Sequence, residues 1–254
     1  MPDCDFTILC EVEPATTPDL RRVRRQVVAF DGVTTSFLIP DNHLGRATVS
    51  SIAVAHEVAL LGCRAVACVN SRDRNLLGFR RDLLTACAYG VSDFLFVRGD
   101  DPASGAARSG DLTVRRMIEE ARLFDGKQFR IGATVLAGQP IPAWKRSVDF
   151  LLVQASFDVP RLLAWRETVD YDGDLLVGVL VIASRKMAMQ LAQTVTEIEL
   201  PAELVDRLDD DRDAGVDFAV DMVLRLQSEA AAGFAGAHLV PVGRYRQVAD
   251  RLRS

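Results

Sequence analysis

The residues of this chain that could do chemistry are polar side chains closing apolar runs. They are Glu11 and Glu13, Asp41 and Asn42, Asn70 to Asp73, Asp100, Gln154, Ser184 and Arg244. The set is rich in acids and amides. A carboxyl group can deliver a proton to a leaving atom, and a carboxylate can stabilise a developing cation. Glu11 and Asp100 also have the types required of a glycosidase pair. A sugar site usually adds exposed aromatics, however, and Trp144 and Trp165 lie away from these positions. Three scattered histidines, His43, His56 and His238, give no cluster for a transition metal and no convincing base for a serine nucleophile. No GxGxxG or GxxxxGK[ST] pattern marks a nucleotide loop.

Each of these residues has a plainer reading. Glu11 or Glu13 can serve as a loop salt bridge, and Asp100, after Gly99, can cap a turn. Gln154 interrupts an apolar strand, where a buried amide must be paired, so ligand recognition and internal bonding both remain open. The basic face of Arg21, Arg22, Arg24 and Arg25 suits solvent better than phosphate. Asp209 to Asp211 suit a solvated helix end, and His56 a helix surface.

The elements that position these groups alternate in type. Apolar runs at 6–12, 33–40, 63–71, 93–98, 130–137, 149–156, 175–183 and 237–242 read as eight strands. Helical spacing predicts helices from Pro18, through Val49–Val58, from Leu76 to Gly90, from Val114, from a Ser184 cap to about Val195, over Ala202–Arg212, over Gly215–Gln227 and over Tyr245–Leu252. About a dozen residues, Pro140 and Pro142 among them, separate the fifth and sixth strands, so a full covering helix barely fits there. Eight strands with helices between most of them predict a (β/α)8 TIM barrel in α/β class, one domain over residues 1–254. A barrel gathers the C-terminal ends of its strands on one rim, so the polar set above should converge there. Residues 102–110, mostly small, form a loop expected to close over a ligand.

The 254 residues are 49% hydrophobic with a net charge of −5. That balance argues against nucleic acid or an anionic membrane as partner. The cysteines Cys4, Cys10, Cys63, Cys68 and Cys87 have no CxxC or zinc-like spacing and suit a reducing compartment. The N-terminus lacks a signal-peptide pattern, no apolar run reaches transmembrane length, and the C-terminus suggests no appended regulatory domain. A soluble, cytoplasmic protein is expected.

Several segments resemble the methylenetetrahydrofolate reductase family. SRDRNLLGFRRDLLTACAYGVSDFLFVRGDDP, residues 71–102, resembles the family's RDRN, its DLL-A--G helix and its strand ending in GD-P. CEVEP at Glu11 resembles the first-strand E-x-x-P, and Pro40–Asn42 the PDN after the second strand. VDFLLVQASFD, residues 148–158, resembles the sixth-strand segment ending TQ-x-x-FD. GVLVIASRKMA with the later IELP resembles the seventh-strand region, and HLVPVGRYRQVADRL the eighth. The resemblance implies a (β/α)8 barrel that reduces a folate with NADH or NADPH. It implies Glu11 as proton donor and Asp100 as the anion beside the pterin. By the same carry-over Gln154 hydrogen-bonds the pterin, Phe157 packs beside the ligand, and Arg244 meets the glutamate carboxylate.

The departures concern the flavin that the family uses. The third strand has CVNS in place of HLT-C, so Cys68 stands where an FAD-contacting histidine would be. LAGQPIP replaces Y-P-E-x-H-P, and WKRSVDF replaces the longer helix whose Asp, Lys and Arg residues hold the FAD. These losses fall in the same short crossover. The expectation is a divergent member binding little or no FAD, with hydride passing directly from the nicotinamide. An FAD-dependent reductase and a non-catalytic folate-binding relative are the alternatives.

Overall fold

The computed structural model describes residues 6–100, 110–124, 129–194, 199–229 and 233–254. Cys4, the loop after Asp100 apart from Gly110, the expected helix end at Val195, and Ile198 of IELP lie outside the described residues.

Eight parallel strands form a closed barrel in sequence order. They are β1 (Thr7–Glu11), β2 (Ser36–Ile39), β3 (Arg64–Asn70), β4 (Asp93–Val97), β5 (Arg130–Val135), β6 (Phe150–Val153), β7 (Asp174–Leu180) and β8 (Gly236–Val240). The barrel closes where β1 pairs with β8, in a register that sets Leu9 beside His238. The fold is the expected (β/α)8 barrel in a single domain.

Side-chain alternation divides each strand between two apolar layers. Leu9, Leu38, Val66, Cys68, Leu95, Phe150, Leu152 and Leu176 fill the interior. The other set, including Cys10, Phe37, Ala67, Phe94, Leu151 and Leu239, packs against the helices. Glu11 is two residues beyond inward Leu9, Asn70 two beyond Cys68, and Gln154 two beyond Leu152. All three therefore project over the C-terminal mouth. His238 points inward as well, because its neighbours Ala237 and Leu239 belong to the outer layer.

The helices are α1 (Arg21–Ala29), α2 (Ser51–Leu60), α3 (Leu76–Ala88), α4 (Val114–Arg122), α5 (Val159–Glu167), α6 (Arg185–Thr194), α7 (Ala202–Arg207), α8 (Ala214–Ser228) and α9 (Tyr245–Arg253). Side-chain caps start several of them. Asn75 accepts from the Gly78 N–H, Thr113 from Arg116 and Asp158 from Arg161. Ser184 accepts from the Met187 N–H, as its position suggests. Some bounds differ from the apolar pattern. The first helix begins at Arg21 rather than Pro18, and α7 ends at Arg207 rather than Arg212. Asp209 and Asp211 are instead drawn to Arg185 and Arg207 as side-chain partners.

The β5–β6 crossover has no α-helix, only the short 3-10 turn Ala143–Lys145. Buried Ile141 and Val148 fill the place of a covering helix. Trp165 of α5 is buried against them and donates its indole N–H to the Gln139 carbonyl at 3.0 Å. The Tyr171 hydroxyl donates to the Val148 carbonyl at 2.9 Å. The expected shortening is real, and aromatic side chains from the next unit compensate for it.

Candidate active site at the barrel mouth

Glu11 ends β1 facing inward. Its Oε2 lies 3.1 Å from Nε2 of His238, which sits one layer deeper on β8. The two side chains are 18% and 14% exposed, so the pair is sheltered yet open to a ligand above it. One proton is shared across the contact: the imidazole N–H donates to a carboxylate, or the carboxylic acid donates to the ring nitrogen. The backbone of Glu11 is fixed separately. Tyr245, at the start of α9, donates its hydroxyl to the Glu11 carbonyl at 3.0 Å and accepts the Glu13 N–H at 2.9 Å. Burial, then the nearby Cys10 and Glu11, push the Tyr245 phenol far above its ordinary value, so it stays a donor.

Glu13 faces a different partner. Its carboxylate pairs with Arg22 of α1, on the outer side of the rim. Of the two acids in that loop, only Glu11 therefore faces the mouth. Cys68 lies inside the barrel and is almost fully buried. Burial, followed by the charges of Glu11 and Asp41, raises its thiol well above the ordinary value, so it is a neutral apolar wall rather than a nucleophile.

A polar network covers the ends of β2 to β4. Oδ2 of Asp41 accepts from the Asn70 amide N–H, from Nδ2 of Asn70 and from Nη1 of Arg74, at 3.0, 2.7 and 2.6 Å. Asp73 is bound by Arg72, Asn42 and Asn70. The Arg72 hydrogen bonds, helped by those from Asn42 and Asn70, lower its carboxyl to about 2. These side chains, prominent in the sequence pattern, are occupied in building the rim. Gly99 allows it: at φ +88°, an added Cβ would lie 2.8 Å from Cβ of Asn70.

Asp100 stands exposed just past β4. Its Oδ2 accepts the Leu44 N–H at 2.8 Å, from a loop in which Asn42 and Leu44 both have positive φ. Among the described residues no hydrogen-bond donor reaches the other carboxylate oxygen. Asp100 therefore serves the β2–α2 loop while presenting a charge at the rim. No hydrogen bond among the described residues joins it to Glu11.

Gln154 is exposed, not a buried amide within a strand, because β6 ends at Val153 and only the Gln154 backbone N–H is tied, to Val135. It lines a cavity of ≈ 260 Å³ with Leu136–Gln139, Ser156, Phe157 and Arg161. Phe157 is buried at the edge of that cavity and packs with Ile182, Ala188, Leu204 and Ala214. Arg244 is half-buried and turned toward the α7–α8 connection, donating to the Arg212 carbonyl at 3.3 Å with Asp213 4.0 Å away. The structure thus brings Glu11 and His238 together at the centre of the mouth, with Asp100 and Gln154 on its rim. Phe157 and Arg244 lie at its margin. His238 is the residue that sequence reasoning missed; a lone polar side chain in the run AHLV was its signal.

His56 is a packing residue, its Nδ1 3.0 Å from the Tyr89 carbonyl. Among the described residues there is no metal-ligating cluster, and no helix is long and apolar enough to cross a membrane.

Residues 145–250 match the family model of methylenetetrahydrofolate reductase. The resemblance read from the motifs is therefore borne out over the part that holds Gln154, Phe157 and Arg244. No curated protein matches the chain. Among solved structures, an uncharacterized protein from Clostridium thermocellum that binds two copies of 5-methyl-5,6,7,8-tetrahydrofolic acid superposes with a TM-score of 0.64 at 10% identity, over 97% of this chain and 93% of that one. DmoA from Hyphomicrobium sulfonivorans gives a TM-score of 0.52 at 7% identity, over 97% and 87%. At these identities the likeness is one of fold.

Proposed function

We propose that the chain reduces 5,10-methylenetetrahydrofolate to 5-methyltetrahydrofolate, taking hydride directly from NADH or NADPH. The observation that carries this reading is the Glu11–His238 pair, an acid held inward at the centre of the barrel mouth. The family match over residues 145–250 and the folate bound by the Clostridium thermocellum protein support the substrate class.

The substrate holds its one-carbon unit in a five-membered ring between N5 and N10. Glu11 gives a proton to N10 as the bond from N10 to the methylene carbon breaks. The electrons of that bond stay on nitrogen, leaving an iminium cation at N5. Asp100 supplies a fixed negative charge near the cation, with its Leu44 contact holding the carboxylate in place. Hydride from C4 of the dihydronicotinamide then reduces the iminium carbon to a methyl group, and the oxidised nicotinamide leaves. The net change consumes one NAD(P)H and one proton. His238 orients the Glu11 carboxyl, and solvent restores its proton between turnovers. Gln154 takes the pterin edge, Phe157 closes the cavity beside it, and Arg244 meets the terminal carboxylate.

The residues present do not fit a resident FAD. The β5–β6 crossover is one 3-10 turn, and its cations are engaged: Lys145 on the Thr134 carbonyl and Arg146 on Asp170. Where the family resemblance would place a flavin-contacting histidine, Cys68 is buried and neutral. The space beside the folate is then left for the nicotinamide.

The test is oxidation of NADH and of NADPH with 5,10-methylenetetrahydrofolate, with and without added FAD. Turnover without FAD is expected. Turnover only with FAD would favour a flavin-dependent reductase. Folate binding without turnover under any condition would overturn the enzyme reading in favour of a binding protein.

A further inference from the structure

One apolar side chain at the rim stands apart from the core. Leu44 is 60% exposed and belongs to none of the apolar clusters. The other large apolar side chains exposed among the described residues lie on helices or at helix ends, whereas Leu44 lies in the loop that follows β2. Its backbone is also held where leucine is rarely found, at φ +54° and ψ +31° in the left-handed region. Asn42 and Gly45 share that region, and theirs are residue types that accept it. Folding alone would favour glycine or asparagine at position 44, because either relieves the backbone and removes an apolar group from water.

The conformation is fixed from several sides. The Leu44 N–H donates to Oδ2 of Asp100 at 2.8 Å, and the Gly45 N–H to the Asn42 carbonyl at 3.0 Å. Asn42 and Thr48 exchange two further hydrogen bonds, and Nδ2 of Asn42 donates to Asp73 at 2.8 Å. The loop therefore holds a strained, exposed leucine beside the carboxylate that the proposed reaction places next to the cation. Strain maintained in this way is a feature of ligand clamps.

The order of the strands selects the ligand. The proposed reaction holds the folate from Glu11 on β1, Asp100 beyond β4 and Gln154 beyond β6. Hydride transfer brings C4 of the nicotinamide about 3–3.5 Å from the methylene carbon, and so close to Asp100 as well. The arc over β2 and β3 is left for that ring. Cys68 is an apolar wall on this side, and Asn70 is bonded to Asp41 and Asp73.

We propose that Leu44 is a binding residue for the dihydronicotinamide, its side chain packing on the face of the ring turned away from the folate. The inference rests on the direct-hydride reading above. One hydrogen bond, from Leu44 to Asp100, then ties the clamp on the hydride donor to the anion that stabilises the acceptor.

The test titrates NADH and NADPH into the full chain and into Leu44→Gly, Leu44→Asn and Leu44→Met, with 5-methyltetrahydrofolate titrated alongside. Glycine and asparagine suit the left-handed backbone, so both variants should melt no lower than the wild type. Each should bind the nicotinamide cofactor about tenfold more weakly, the worth of burying much of a leucine side chain. Affinity for 5-methyltetrahydrofolate should not change, and Leu44→Met should stay near the wild type. Cofactor affinity equal to that of the wild type in both Leu44→Gly and Leu44→Asn would overturn the inference alone. A loss confined to the folate would give Leu44 to the pterin, and a lowered melting temperature in both variants would make it a packing residue; either overturns the inference. A wild type that binds neither cofactor would end the direct-hydride reading and the inference together.

Discussion

Nε2 of His238 lies 3.1 Å from Oε2 of Glu11, across the seam where β8 closes onto β1. The contact joins residues from opposite ends of the chain, and it exists only because the barrel is closed. A carboxyl group held this way cannot turn out of the mouth without losing a hydrogen bond in a sheltered place. The catalytic expectations begin from that pair.

Glu11→Gln keeps the shape and a hydrogen-bonding group but removes the transferable proton. Turnover should fall by about 10²–10⁴-fold, with folate affinity changed only slightly. Steady-state kinetics and equilibrium titration of the same preparation check this. Near-normal turnover would show that another group supplies the proton.

His238→Ala should lower kcat by about tenfold to a hundredfold, the worth of one hydrogen bond to a charged group, with little change in KM. His238→Gln, which keeps a donor near Glu11, should recover part of the loss. Unchanged kcat in His238→Ala would leave the histidine a purely structural role.

Asp100→Asn separates the two duties of that side chain. The amide oxygen can still accept the Leu44 N–H, so the loop with Asn42 and Leu44 at positive φ is retained. The charge is lost, and kcat should drop by about 10²–10³-fold. Asp100→Ala should in addition lower the melting temperature, which the asparagine variant should not.

The rim network predicts a pH-dependent stability. The Asp73 carboxyl is lowered in the folded protein from 3.8 to about 2, chiefly by its hydrogen bonds with Arg72. A depressed folded value stabilises the protein above the unfolded value, and the contribution disappears as pH falls through the folded one. Asp73 should therefore contribute about 1–2 kcal/mol at neutral pH, after allowance for its partial exposure. Urea denaturation should show Asp73→Asn less stable than wild type at pH 7, with the difference shrinking from pH 4 and gone near pH 2.

Much of this architecture is legible in the chain. Eight apolar runs separated by helical spacing give the barrel, and the two prolines of the fifth-to-sixth connection foretell its missing helix. The side of the rim built by Asp41, Asn70, Asp73 and Arg74 is legible only as a list of polar residues. Nothing in their spacing separates the ones that bind each other from Asp100, whose carboxylate instead holds the Leu44 N–H. Gln154 looks buried because the apolar run continues up to it, but β6 stops at Val153 and leaves it in the open. Glu11 and Glu13 look equivalent until strand parity turns one inward and Arg22 takes the other. The His238 contact is beyond local pattern altogether, since closure of the barrel sets the register that creates it.

The central claim is direct hydride transfer, and isotope transfer tests it most directly. The flavin content of the purified protein is recorded first. It is then incubated with 5,10-methylenetetrahydrofolate and a nicotinamide cofactor carrying two deuterium atoms at C4. Direct transfer predicts one deuterium in each methyl group of the 5-methyltetrahydrofolate formed, from protein that holds no stoichiometric flavin. A methyl group with deuterium lost to solvent, together with bound flavin near one per chain, would contradict it.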